Sequence, residues 1–264
     1  MRYMAKPIIS NILLFIEALL LFLLTILFSL KITILNKNYI IKTLEKANYY
    51  EYVYDEAKNT MSYITKKTGF SSKILENTFE LENVKNDINL FVKSFYKGEK
   101  AVLNVEHLKE NLNNNLERYI EEKGLEVEEE KITNYTNKMV LTYKNEIRLL
   151  NNFTDISNTI NKLNKISTIL IPLFILDLIV LIIINKKIFN KKEHNVLFYT
   201  SVISLIGTNI FINTLNINNL FIYNDKISEI IIGIIKNIQI KNFIFIILYI
   251  ILGLLLTKRT KETE

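Results

Sequence analysis

Four apolar runs, residues 8–30, 166–184, 196–215 and 243–256, restrict what this chain can fold into. The first three reach or approach the roughly 20 residues that cross a hydrocarbon core, and the fourth gains length from the apolar residues before it. Between the first two lies a polar stretch, residues 37–165, with 20 basic and 20 acidic side chains. This partition predicts an all-α protein: an integral membrane four-helix bundle with an inserted extracytoplasmic helical bundle. Residues 1–36 would hold a cytoplasmic N-terminus and transmembrane helix 1, and residues 37–165 the extracytoplasmic helical domain. Residues 166–264 would hold transmembrane helices 2–4, an outer amphipathic helix at about 227–240, and a basic cytoplasmic tail.

The N-terminus resembles a signal peptide, with Arg2 and Lys6 ahead of an apolar run. That run exceeds a signal-peptide core and no A-x-A site follows it, so an uncleaved signal anchor is expected. Orientation follows from charge in the short loops. Arg2 and Lys6, the segment NKKIFNKKEHN (residues 185–195) and the tail TKRTKETE (residues 257–264) together carry a net +6. With four spans these three segments share one side, which makes it cytoplasmic and places residues 37–165 outside. The expected location is the plasma membrane, multi-pass, with both termini cytoplasmic. The sequence pI of about 9.1 then reflects inside-positive loops rather than nucleic-acid binding. Tyr3, Tyr199 and Tyr223 are candidate interfacial anchors in a chain without tryptophan.

Helical spacing recurs along the outer segment. One stripe is Val84, Ile88, Phe91, Val92 and Phe95. A second is Val105, Leu108, Leu112, Leu116, Tyr119 and Ile120. A third is Ile132, Tyr135, Met139, Tyr143, Ile147 and Leu150. Gly69, Gly98 and Gly124 fit helix stops, and Ser71, Asn104 and Thr154 fit caps. The first outer helix is expected to continue from span 1, and the last to run into span 2. In ANYYEYVYDEA (residues 47–57) and the turns after it, Tyr50, Val53, Ala57, Met61 and Ile64 fit a core stripe. Tyr49, Tyr52 and Tyr54 would then face partly outward, as possible partner contacts. The Asn-rich NLNNN (residues 111–115) is read as composition alone. In ISEIIIGIIKNIQI (residues 227–240), Ile227, Ile230, Ile231, Ile234, Ile235 and Ile238 form one face. A helix lying in the outer interface has that pattern; a segment leading directly into span 4 would share it.

Two carboxylates interrupt the apolar runs, Glu17 and Asp177. Counted from the cytoplasmic ends of their spans, Glu17, Asp177, Ser204 and Tyr249 all lie roughly 12–14 Å deep. A charge at that depth is costly and normally faces protein. Ser10, Asn11, Ala18, Thr25 and Ser29 share the face of Glu17, Ser201 and Thr208 that of Ser204, and Gly253 is one turn from Tyr249. Faces of small and polar residues pack membrane helices together. The expectation is an intramembrane polar layer in which Glu17 and Asp177 bond Ser204, Thr208 and Tyr249. Pro172, ahead of Asp177, would bend span 2.

Catalytic signatures are missing. There is no P-loop, G-x-G-x-x-G, H-E-x-x-H or G-x-S-x-G. The chain has no cysteine, and its two histidines, His107 and His194, fall on opposite sides of the expected membrane. EVEEEK (residues 126–131) lacks the alternating oxygen ligands and turn glycine of a calcium loop. No catalytic residue, metal site or cofactor is expected.

LNKNYIIKTLEKANYYEYVYDEAKN (residues 35–59) and VKNDINLFVKSFYKGEKAVLNVEHLKENLNNNL (residues 84–116) carry a resemblance. With the span pattern, the chain resembles uncharacterised four-span membrane proteins of low-GC Gram-positive bacteria with a helical extracytoplasmic domain. The resemblance implies location and architecture, and no activity. The expected function is non-enzymatic: an accessory, scaffold or ligand-binding component of a cell-envelope complex, acting through its outer domain. The alternative is a small transporter or channel-like component using the carboxylate layer. Expected partners are the lipid bilayer and a membrane or envelope protein, or a second copy; nucleic acid is not among them.

Overall fold

The computed structural model describes residues 2–100, 102–147, 153–189, 194–215 and 225–262. The described residues form helices and turns, with no strand among them. In chain order the helices are α1 (Arg2–Ile32), α2 (Lys37–Lys46), α3 (Tyr49–Lys67), α4 (Leu81–Lys97) and α5 (Glu106–Lys123). They continue as α6 (Glu129–Ile147), α7 (Phe153–Ile184), α8 (His194–Leu215) and α9 (Asp225–Glu262). A 3₁₀ turn occupies Ser72–Leu75, and a π-helical segment, Asn185–Phe189, prolongs α7. The chain divides into two units, residues 1–39 with 162–264, and residues 40–161.

The 40–161 unit is built from the stripes. Val84, Ile88, Phe91 and Val92 of α4, Leu108, Leu112 and Leu116 of α5, and Tyr135, Met139, Tyr143 and Ile147 of α6 are buried. Phe95, Tyr119, Ile120 and Ile132 are half-buried at the margins, and Leu150 lies outside the described residues. Gly98 and Gly124 end α4 and α5 at φ 72° and 58°, the left-handed cap that glycine adopts without a Cβ penalty. Ser71 accepts from the Lys73 N–H, and Asn104 Oδ1 from the Glu106 N–H. Thr154 does not start a helix; it lies one residue inside α7.

The Asn-rich stretch has a structural role that composition did not reveal. Asn115 Nδ2 donates to the carbonyls of Ile74 and Glu76, both at 2.9 Å, and Asn111 Nδ2 to that of Thr78 at 3.2 Å. These bonds tie α5 to the 3₁₀ turn and the irregular segment after it, where the Ile74 carbonyl also accepts from Thr78 Oγ1 at 3.2 Å.

In the other unit, α1 packs against α8, α9 and the π-helical segment, and α8 against α9. Among the described residues three helices are long and apolar enough to cross a membrane: residues 8–32 of α1, residues 156–187 through α7, and residues 225–258 of α9. The apolar part of α8 within the described residues, 195–208, is shorter. Small residues admit close approach. A Cβ on Gly207 would lie 2.5 Å from Cζ of Phe22, and one on Gly253 3.2 Å from the Phe198 ring.

Helix continuity departs from expectation at two places. Helix α1 does not run on into residues 37–165: it stops at Ile32, the Leu35 N–H turns back to the Leu30 carbonyl (2.9 Å), and Asn36 Oδ1 then caps α2. Residues 227–240 are not a separate interfacial helix. They belong to α9, whose 38 residues extend about 57 Å. No proline or capping residue breaks that stretch, and Asn242, at the expected joint, is buried and bonded to Ser29 Oγ at 2.6 Å.

Candidate functional site

The polar residues of the apolar unit link one helix to another. Glu17 is 1% exposed and accepts a hydrogen bond from Asn185 Nδ2. Thr25 Oγ1 donates to the Leu21 carbonyl (2.8 Å), which leaves the Tyr249 hydroxyl as donor in their 2.6 Å contact. Lys31 Nζ reaches Asn164 Oδ1 and Thr168 Oγ1. Rising residue numbers along α1 (17, 31) meet falling ones on the α7 segment (185, 164), and 25 and 29 meet 249 and 242 on α9. Helix α1 is therefore antiparallel to both. This register brings the start of α1, the end of α7 and the end of α9 together, with Lys186, Lys187 and Lys258 at that end.

These partners differ from the expected ones. Glu17 finds Asn185 rather than Ser204, Thr208 or Tyr249, because the π-helical turn carries Asn185 into contact with α1. Tyr249 finds Thr25. Ser204 is buried, yet its Oγ has no hydrogen-bond partner; the same holds for Ser10 Oγ and Asn185 Oδ1. Thr208 and Asp177 are half-buried, and Asn11 is exposed. The expected layer thus resolves into pairwise links, and Asp177 is not tied into them. Beside Glu17 lies a cavity of about 190 Å³ walled by Leu21, Leu178, Ile182, Val196 and Leu256. Its walls offer apolar contact and one carboxyl group. Sequence reading missed Asn185, treating it as the boundary of a loop; a mid-chain asparagine flanked by apolar helix and lysines gives no signal of an inward turn.

The tyrosine segment also needs correction. Tyr49 is 1% exposed and belongs to the core with Tyr50, Val53, Ala57 and Met61, so it is no partner contact. The stripe closes on buried Thr65 instead of Ile64, because α3 packs against both α4 and α6. Burial pushes the Tyr49 hydroxyl well above its ordinary value, with Tyr52 and Glu146 adding to the rise. Tyr52 and Tyr54 stay half-exposed. Tyr54 meets Phe79 edge-on at 5.4 Å, and Phe79 meets Tyr143 at 5.3 Å. The Tyr54–Phe79 pair floors a cleft of about 890 Å³ rimmed by Glu51, Asp55, Glu76 and Glu80.

One buried carboxylate in this unit carried no sequence signal. Asp87 Oδ2 accepts from the Tyr143 hydroxyl at 2.7 Å within the core. Burial raises its carboxyl above the ordinary value, while Tyr143 and the charge of His107 pull it partly back. His107 is half-buried, and its Nε2 has no hydrogen-bond partner. Among the described residues no three His, Asp or Glu side chains converge as metal ligands would.

A pH dependence follows. With a raised folded value, Asp87 supports the fold fully below its unfolded value of about 3.8 and progressively less as pH rises through the folded one. Glu146, also raised by burial, acts in the same sense. Denaturant titrations of the full chain, followed by tyrosine fluorescence, should show this part of the stability declining from pH 4 towards neutral. Asp87→Asn, which can still accept from Tyr143, should flatten that decline; an unchanged slope would remove Asp87 as its source.

Comparison with protein-family models, curated proteins and solved structures finds no match to this chain.

Proposed function

We propose that the chain is a non-enzymatic integral membrane protein of the plasma membrane that serves as an accessory, scaffold or ligand-binding component of a cell-envelope complex. Helices α1, α7, α8 and α9 form its four spans, both termini face the cytoplasm, and the 40–161 unit lies outside and makes the functional contact. Support for the topology comes from the antiparallel register of α1 with α7 and α9, and from the lysines at the end where their cytoplasmic termini meet. The observation that carries the functional reading is the cleft lined by Tyr54 and Phe79: wide, aromatic at its floor and charged at its rim.

The experiment is a photo-crosslinking residue placed at Tyr54 of the full chain in native membranes, followed by mass spectrometry. An envelope component trapped from position 54, and lost when Glu51, Asp55 and Glu76 are changed to glutamine, Asn and Gln respectively, is the expected outcome. Crosslinks only to other copies of the chain would count against the reading.

A second reading rests on Glu17 beside its cavity: a small transporter or channel-like component. Vesicles containing the Glu17→Gln, Asp177→Asn double variant should then lose a solute or ion flux that the unaltered protein supports. Equal flux from both would dismiss it.

A further inference from the structure

We propose that Asp177 is the docking point for another protein's membrane helix that carries a lysine or arginine within the bilayer. The inference rests on α7 crossing the membrane and does not depend on what the outer unit binds.

Helix α7 is the least covered of the three long apolar helices. Only 11% of its apolar window is buried, against 33% for α1. At 100° per residue, Ile166, Leu173, Asp177 and Val180 share one face. Leu173 and Val180 are each 47% exposed, so the described helices leave that face open. Exposed Leu and Val in lipid need no cover. A carboxyl group does, since hydrocarbon offers it neither hydrogen bonds nor a counter-charge.

The two intramembrane carboxylates contrast sharply. Glu17 is enclosed and bonded to Asn185. Asp177 forms no hydrogen bond or ion pair with any described residue. Nor do the described residues place a cation at its depth. Lys31 is engaged by Asn164 and Thr168, about two and a half to three and a half turns away along α7. Lys186 and Lys187 follow α7 in the π-helical segment, about 13–15 Å further on.

The chemistry of the missing partner follows. A single basic side chain would neutralise one carboxylate and supply its hydrogen bonds, removing two costly intramembrane charges at once. A second copy of this chain would present another carboxylate, and like charges oppose each other. The open face therefore fits a cationic helix better than self-association.

The test uses the full-length protein in phosphatidylcholine vesicles, labelled with a donor dye through Lys187→Cys, as the chain has no other cysteine. The probe is a synthetic leucine–alanine helix bearing an acceptor dye and one lysine at the depth of Asp177; its control has leucine there. Flotation with the vesicles is measured first, and protein that stays outside them overturns both the membrane reading and this proposal. Energy transfer should report about ten-fold tighter association of the lysine helix than of its control, the equivalent of ~1.4 kcal/mol. Asp177→Asn should abolish that preference and Glu17→Gln should keep it. Equal association of the two helices overturns the proposal alone, as does a lysine preference that survives Asp177→Asn. Asp177-dependent energy transfer between two labelled copies, without the synthetic helix, would instead assign the face to self-association.

Discussion

Ile88→Ala is expected to destabilise the 40–161 unit by about 2–5 kcal/mol. Ile88 is fully buried on α4, next to Asp87 in sequence, in a core that it shares with α3 and α6. Truncation removes three carbons and leaves a cavity that the surrounding helices can only partly close, held as they are by bonds such as Tyr143 to Asp87 and Tyr50 to Asn89. Domains are stable by only about 5–15 kcal/mol in total, so a loss of this size moves the unit towards unfolding. Hydrogen exchange of the α4 and α6 amides in the full chain measures it. Val102→Ala, at a site 79% exposed, should stay within about 0.5 kcal/mol of the unaltered protein. Equal exchange in the two variants would show that α4 is not part of the core.

Glu17→Leu has the second large expected effect, a loss of about 1–3 kcal/mol in the packing of the apolar unit. The substitution is apolar and would suit a lipid-facing site. At this buried one it leaves the Asn185 amide with neither of its polar atoms bonded, since Oδ1 already has no partner. Glu17→Gln retains an acceptor at the same reach and should preserve most of the stability. Thermal unfolding in nanodiscs separates the two. If leucine proves as stable as glutamine, the Glu17–Asn185 link is not a structural contact.

Much of the fold was legible because its signals are periodic and local. The stripes led by Ile88, Leu112 and Met139 each marked the buried face of one helix, and Gly98 and Gly124 marked where two of them end. Partner identity was not legible. Four polar residues at a common depth suggested one layer, but depth fixes only one coordinate. Whether Glu17 meets Tyr249 or Asn185 depends on helix rotation and on a π-helical turn that apolar patterning does not encode. Tyr49 failed for a related reason. A single stripe assumes one neighbouring helix, whereas α3 is packed by α4 and α6 and buries a wider arc. Asp87 is the opposite case, a charged residue that reads as surface until Tyr143 is seen to meet it.

Cysteine accessibility tests the topology most directly, since the chain has no cysteine to contribute background. Val102→Cys, Lys187→Cys and Lys258→Cys would be treated in intact cells with a membrane-impermeant maleimide, then again after lysis. The expected result is labelling of position 102 in intact cells and of positions 187 and 258 only after lysis. Labelling of position 102 only after lysis would contradict an extracytoplasmic 40–161 unit and the function proposed for it.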